Sequence, residues 1–191
     1  MYDWITHVHP TVEPVDVATV KLHLRLDAED FNDLIAENIK AARGMVERYL
    51  SRALITQTRK QYFHDFQSVY TLIGQPIASI EAFTYTNENG TPASWAATNY
   101  LLDGRRGELV ERANAVRPDV DLIERNAIEI IYTCGYGSSP ESVPAEIRQA
   151  IKMLAGHWIE NPSPILIGQM ALEPKEMPFA VRELLRPYLV M

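Results

Sequence analysis

The most regular apolar pattern in the chain lies at residues 143–161. There Ile147, Ala150, Ile151, Leu154 and Trp158 recur at helical spacing and make one stripe. Pro144 suits a first helical turn, and Glu146 sits where the helix dipole favours an anion. Asn161-Pro162 ends the run, because a residue before proline is pushed out of the helical region. A second run spans residues 27–51, where Phe31, Leu34, Ile35, Ile39, Ala42, Met45, Val46 and Tyr49 keep the same period. Its polar face carries Asp33, Glu37, Lys40, Arg43 and Glu47, spaced for pairing along the helix, and Asp27 or Asp30 is the expected N-cap. Shorter helices are predicted at 15–24, capped by Asp16 and burying part of Val17, Val20, Leu22 and Leu24, and from Pro178 to Arg186. The first fourteen residues read as an extended arm, since Pro10 and Pro14 block a helix while Trp4, Ile5 and Val8 offer apolar anchors.

Between the two long helices the period drops to two. Alternation at 56–64, 69–73, 77–86, 99–102, 108–111 and 127–133, punctuated by Gly74-Gln75-Pro76, Asn89-Gly90 and Asp103-Gly104, predicts a small antiparallel sheet or sandwich. The expected fold class is therefore α+β: an α-helical core of two long packed helices and short terminal helices, interrupted by a small β subdomain. Residues 1–191 would form a single domain, with the helical core at 1–54 and 138–191 and the β insertion at 55–137. In that core Leu34, Ile35, Ile39 and Val46 of the first helix would face Ile147, Ile151, Leu154 and Trp158 of the second.

Composition narrows the functional classes. The 191 residues are 47% hydrophobic and 23% charged, ordinary for a globular protein, and the net charge of −7 argues against a general binder of nucleic-acid backbone. A single cysteine, Cys134, rules out an internal disulfide and fits a reducing compartment. No apolar run has the length that spans a bilayer, so no membrane partner is expected. The N-terminus has neither the basic start nor the apolar centre of a signal peptide, so the expectation is a product that stays in the host cytoplasm.

Candidate chemistry fails on spacing. His7-x-His9 has no cysteine or carboxylate at ligand distance to complete a metal site. Cys134 has no neighbouring group that would lower its pKa, and it precedes a glycine turn, as a small packed residue would. Gly135-Tyr136-Gly137 is not followed by the Lys-Ser/Thr of a phosphate loop. Arg105-Arg106, Arg112 and Arg117 form the one basic concentration, but they alternate with Glu108, Glu111, Asp119 and Asp121. No catalytic residue, cofactor or metal is expected, and the balance shifts toward binding and assembly.

Several stretches together resemble the head–tail connector, or adaptor, proteins of long-tailed phages, prophages and gene transfer agents. They are Val17 to Asp27, Val46 to Thr58, Ile131-Tyr132-Thr133-Cys134-Gly135-Tyr136-Gly137, Val143 to Ile151 with His157-Trp158 and Glu160-Asn161, Met177 to Val181, and Leu184-Leu185-Arg186-Pro187-Tyr188. They cover nearly the whole chain in order, and their combination carries the likeness. Ser51 and Leu189 depart from it, standing where the family often has glycine and commonly has arginine.

The resemblance implies a ring, usually of twelve copies, docked beneath the portal protein at the capsid vertex. DNA would pass through its channel without sequence-specific binding, and a stopper or tail-terminator protein would attach below. The C-terminal helix, with Phe179, Leu184, Leu185, Arg186 and Tyr188, resembles the portal-docking end of the family. Ring contacts need two different sticky surfaces on each copy, for which Trp4 and Ile5 in the arm and Ile165, Leu166 and Ile167 in the proline-rich stretch are the candidates. Two other readings stay open: a stopper or tail-completion protein of the same neck, or a small cytosolic hydrolase or ligand-binding protein.

Overall fold

The computed structural model describes residues 4–27, 29–161 and 177–189. Among them are four α-helices and eight β-strands, and the strands form two antiparallel sheets. This overturns the expected helical core with a small inserted sheet. The β part has a core of its own and does not serve as an appendage to the helices.

The chain divides into two compact units. One comprises the stretch up to Thr11 together with Ile55–Ser138, and the other Val12–Leu54 together with Ser139–Met191. In the β unit the strands are β1 (Trp4–Val8), β2 (Gln57–Phe63), β3 (Val69–Thr71), β4 (Ile77–Thr86), β5 (Pro92–Ser94), β6 (Tyr100–Asp103), β7 (Glu108–Glu111) and β8 (Ile128–Cys134). The larger sheet has the order β1-β2-β8-β4-β5 and the smaller one β3-β7-β6. Six of the eight strands follow the alternation seen in the sequence. Strands β1 and β5 do not, and both lie at edges, where pairing is decided by the partner.

The larger sheet has a buried and an open face. Gln57, Arg59 and Gln61 of β2 and Ile128, Ile130, Tyr132 and Cys134 of β8 are buried, while Thr58, Lys60, Glu129 and Thr133 between them are partly exposed. That is the period-two pattern of a sheet covered on one side. Aromatic side chains from both sheets meet in the covered space. Phe83 lies with its ring centroid 5.4 Å from Tyr70, 5.7 Å from Tyr100 and 4.9 Å from Trp95, and Phe63 meets Tyr70 edge-on at 4.9 Å. Residues spread from 63 to 100 in sequence therefore converge on one core, which no local periodicity announces. Gln61 links the two layers: its side-chain amide donates to Thr71 O at 3.0 Å, and its Oε1 accepts from Ile73 N at 3.1 Å. Burial pushes the Tyr70 phenol up to about 12 and raises that of Tyr132, whose hydroxyl donates to Ile73 O at 2.8 Å.

The helical unit contains α1 (Val17–Leu24), α2 (Asn32–Leu50), α3 (Ala145–Glu160) and α4 (Phe179–Leu185). The hub is α3, against which α1, α2 and α4 all pack. Its Ile147, Ala150, Ile151, Leu154, Ala155 and Gly156 are buried, and α2 buries Ile35, Ile39, Ala42, Val46 and Leu50. Small residues let α1 approach, and Gly156 sits where a Cβ would meet Leu24 Cδ2 at 3.1 Å.

Several local expectations need correcting, and at the two ends of the α2 stripe Phe31 and Tyr49 are exposed. Leu34 is 47% exposed, because the stripe through Ile35, Ile39, Ala42 and Val46 turns it about 100° away from the core. Leu22 is exposed on α1, where Val20 is the one buried side chain. Neither Asp27 nor Asp30 caps α2; its N-cap is Phe31, with no side-chain cap bond, and Asn32 N donates to Glu29 O at 3.1 Å. Asp16 does cap α1, accepting from Thr19 N at 2.6 Å.

Candidate functional site

The surfaces singled out in the sequence fall in both units. In the helical unit the segment after Met177 is anchored on one side and open on the other. Val181 and Leu185 of α4 are fully buried, and Met177 is nearly so. Beyond the helix, a turn of 3₁₀-helix at Arg186–Tyr188 brings the Tyr188 hydroxyl to Glu146 at 2.8 Å, and Arg52 Nε donates to Tyr188 O at 2.8 Å. The backbone N–H of Glu146 and then the Tyr188 hydroxyl hold the Glu146 carboxyl below its ordinary range. Pinned in this way, α4 leaves Phe179 77% exposed, Leu184 partly exposed and Arg186 exposed, with Arg186 Nη1 3.7 Å from Glu183. Leu185 is an internal anchor of the unit; the outward side chains of the predicted docking set are Phe179, Leu184 and Arg186.

Trp4 and Ile5 lie in β1, at one edge of the larger sheet. The Trp4 ring covers the Arg59 guanidinium, with its centroid 4.4 Å from Cζ, so one of the two arm residues is engaged inside its own unit. Ile5 is 53% and Val8 52% exposed. A register shift between Thr6 and Val8 puts both opposite β2 residues of the same face, Ile5 against Lys60 and Val8 against Thr58. The bulge thus makes a two-residue apolar pair on the open face, a feature that spacing alone would have assigned to opposite faces. Ile165, Leu166 and Ile167 lie outside the described residues.

Smaller features sort themselves by their partners. Cys134 is fully buried, with its thiol 3.6 Å from Gln57 O. His7 and His9 are exposed, and the described residues contain no group of three or more His, Cys, Asp or Glu that could hold a metal ion. Of the basic residues, Arg117 Nε pairs with Glu111 at 2.8 Å and Arg112 Nε donates to Tyr100 O at 3.0 Å. Arg105 and Arg106 stand in the turn between β6 and β7, both exposed. Close together in sequence, these four arginines are separated by the β6–β7 pairing. No helix among the described residues is long and apolar enough to cross a membrane.

The arrangement is one of surfaces, with partly exposed apolar side chains held on braced backbone. The chain is similar in fold to a protein in the neck of an empty gene transfer agent particle computed with sixfold symmetry (TM-score 0.79, 22% identity, 98% of this chain and 95% of that one). It is also similar to a protein in the virion of a native gene transfer agent particle (TM-score 0.78, 23% identity, 98% and 95% covered). A third likeness is to a protein in the neck of the native particle computed with twelvefold symmetry (TM-score 0.72, 24% identity, 100% and 96% covered). The search of curated proteins finds no match. The family profile described as head completion protein matches residues 14–188, from just before α1 to the end of the last turn, and the chain belongs to the head completion protein family.

Proposed function

We propose that this head completion protein is the head–tail connector of a phage-like particle, assembling as a ring beneath the portal and serving as the platform for the next neck protein. The observation that carries the reading is the match of the family profile over 14–188, across both units. The likeness in fold to proteins from gene transfer agent necks, solved with sixfold and twelvefold symmetry, supports a ring and favours twelve copies. In that ring the C-terminal segment meets the portal through Phe179, Leu184 and Arg186, the outward set left by the anchoring of Leu185 and Tyr188. Ile5 and Val8 on the open sheet face, with the 165–167 stretch, are the candidates for contacts between copies.

A subunit with a net charge of −7 suits a channel through which DNA slides, because a wall of free cations would hold the phosphates. The role is structural, with no turnover of substrate and no cofactor. Imaging the neck of particles made with and without this chain tests the proposal directly. The expected result is a ring of density between vertex and tail that disappears with the chain, leaving filled heads without tails. Tailed particles formed in its absence would overturn it. Phe179→Asp is the finer probe: it should reduce binding to the portal while the subunit keeps its thermal midpoint, since Phe179 is 77% exposed.

A further inference from the structure

We infer that the Arg105–Arg106 turn is a contact between copies of this chain, received by the acidic start of α2 on the neighbouring copy; this rests on the ring reading above. The structure separates these two arginines from the other basic residues. Arg112 and Arg117 are spent on Tyr100 O and Glu111, whereas Arg105 has no ion-pair partner among the described residues. Arg106, whose side chain is 75% exposed, has Asp103 at 3.9 Å as its ion-pair contact. The last pair of the β6–β7 ladder is Asp103 with Glu108, so the carboxylates sit at the base of the turn and the guanidinium-bearing residues beyond it.

The backbone of the turn is braced from four directions. Asp103 Oδ1 accepts from Arg105 N at 3.1 Å and from Arg106 N at 3.2 Å. Gln75, 7% exposed, donates through Nε2 to Arg106 O at 2.5 Å. Ile77 N donates to Gly104 O at 2.9 Å, and Leu72 N to Gly107 O at 2.7 Å. A buried glutamine and two backbone amides, one of them opening β4, committed to a surface turn leave only the arginine side-chain rotors to be ordered when something binds, which lowers the entropic cost of docking.

The partner follows from charge. Residues 27–37 contain Asp27, Glu29, Asp30, Asp33 and Glu37 and no lysine or arginine. Lys21 takes up Glu29 at 2.9 Å, while Asp30, Asp33 and Glu37 are exposed and have no ion pair among the described residues. Asp33 and Glu37 are one turn apart on α2, a like-charge spacing that costs the isolated helix stability. One chain thus carries a braced cationic turn and a separate anionic helix start, the two unlike surfaces that a head-to-tail ring requires. Complementary charges of this kind set orientation and register and speed encounter. Duplex DNA is the less favoured partner: repeated around a ring, paired arginines would grip the backbone that the ring must let pass.

Self-association of the full chain, followed by sedimentation velocity at low and at high salt, tests this independently of whether the chain is found in a neck. The wild-type chain should associate reversibly and less as salt rises. R105E/R106E and D33K/E37K should each weaken association roughly tenfold, with thermal midpoints near wild type, and the four substitutions combined in one chain should restore most of it. D33N/E37Q, which removes the carboxylates without inserting lysine near the positive end of the helix, should fall between. The inference is overturned by any of four results: a wild-type monomer at every concentration and salt, R105E/R106E associating as wild type, a fourfold variant as weak as either double, or a duplex oligonucleotide retained by wild type and lost by R105E/R106E while self-association is unchanged.

Discussion

Ser51 closes α2 with φ 54° and ψ 33°, the left-handed conformation that glycine adopts at no steric cost. Its amide donates to Arg48 O at 3.4 Å and that of Arg52 to Glu47 O at 3.1 Å, so the helix ends in the usual crossed pair despite the side chain. Ser51→Gly should therefore relieve strain worth about 0.5–1 kcal/mol and raise the thermal midpoint by roughly 2 °C. A lowered midpoint in a thermal melt would show that the serine side chain contributes more than its conformation costs. Asp16 is the second informative residue. Its hydrogen bonds from Thr19 hold the carboxyl below its ordinary value of 3.8, outweighing desolvation. A depressed folded value means that the cap stabilises above the ordinary carboxylate range and is lost as pH falls through the folded value. Asp16→Ala should thus cost about 1 kcal/mol at neutral pH, and the gap between variant and wild type should close in strong acid. Denaturant titrations at several pH values would reveal it, and a gap that stays constant would argue against a carboxylate cap.

Strand β1 shows where sequence reasoning ran out at the scale of the element. Residues 4–8 were legible as extended and partly apolar, which is correct as far as local pattern goes. Pairing with β2 depends on residues some fifty positions away, as Trp4 opposite Gln61 shows, and no local signal carries it. Strand β5, at the other edge of the sheet, is a different case: it pairs with β4 only six to ten residues away, across the turn that Asn89-Gly90 announces, and what hides it is its own three residues, which begin with a proline and show no alternation. By contrast β2 and β8 announced themselves, because a half-covered sheet imposes alternation on each strand by itself. Helix spans were legible for a similar reason, whereas α2's cap and the outward turn of Leu34 depend on packing angles that composition leaves open. The open-face pair was illegible too, since a bulge brings Ile5 and Val8 to one side. Two substitutions separate what β1 does for its own unit from the contact between copies proposed for it. Trp4→Ala uncovers Arg59, 3% exposed, and should destabilise the subunit by about 1–2 kcal/mol in urea unfolding. Ile5→Lys should leave that stability within about 0.5 kcal/mol, as surface changes do, and reduce association between copies; the reverse outcome would assign the packing role to Ile5.

At the scale of the whole molecule, the chain passes between its two units three times, after Thr11, Leu54 and Ser138. Neither unit is a continuous segment. The central strand of the larger sheet, β8, arrives only at Ile128, and the hub of the helical unit, α3, only at Ala145. During synthesis, then, roughly the first two-thirds of the polypeptide leave the ribosome with no element able to complete either core. Nascent chains arrested before Ile128 should be cut readily by protease along their whole length, and resistance should appear late and nearly at once for both units, once α3 has emerged. A cell making many copies for one particle would carry them as half-made, sticky polypeptides for most of translation, so demand on its chaperones is set by the interleaving of the chain more than by its length.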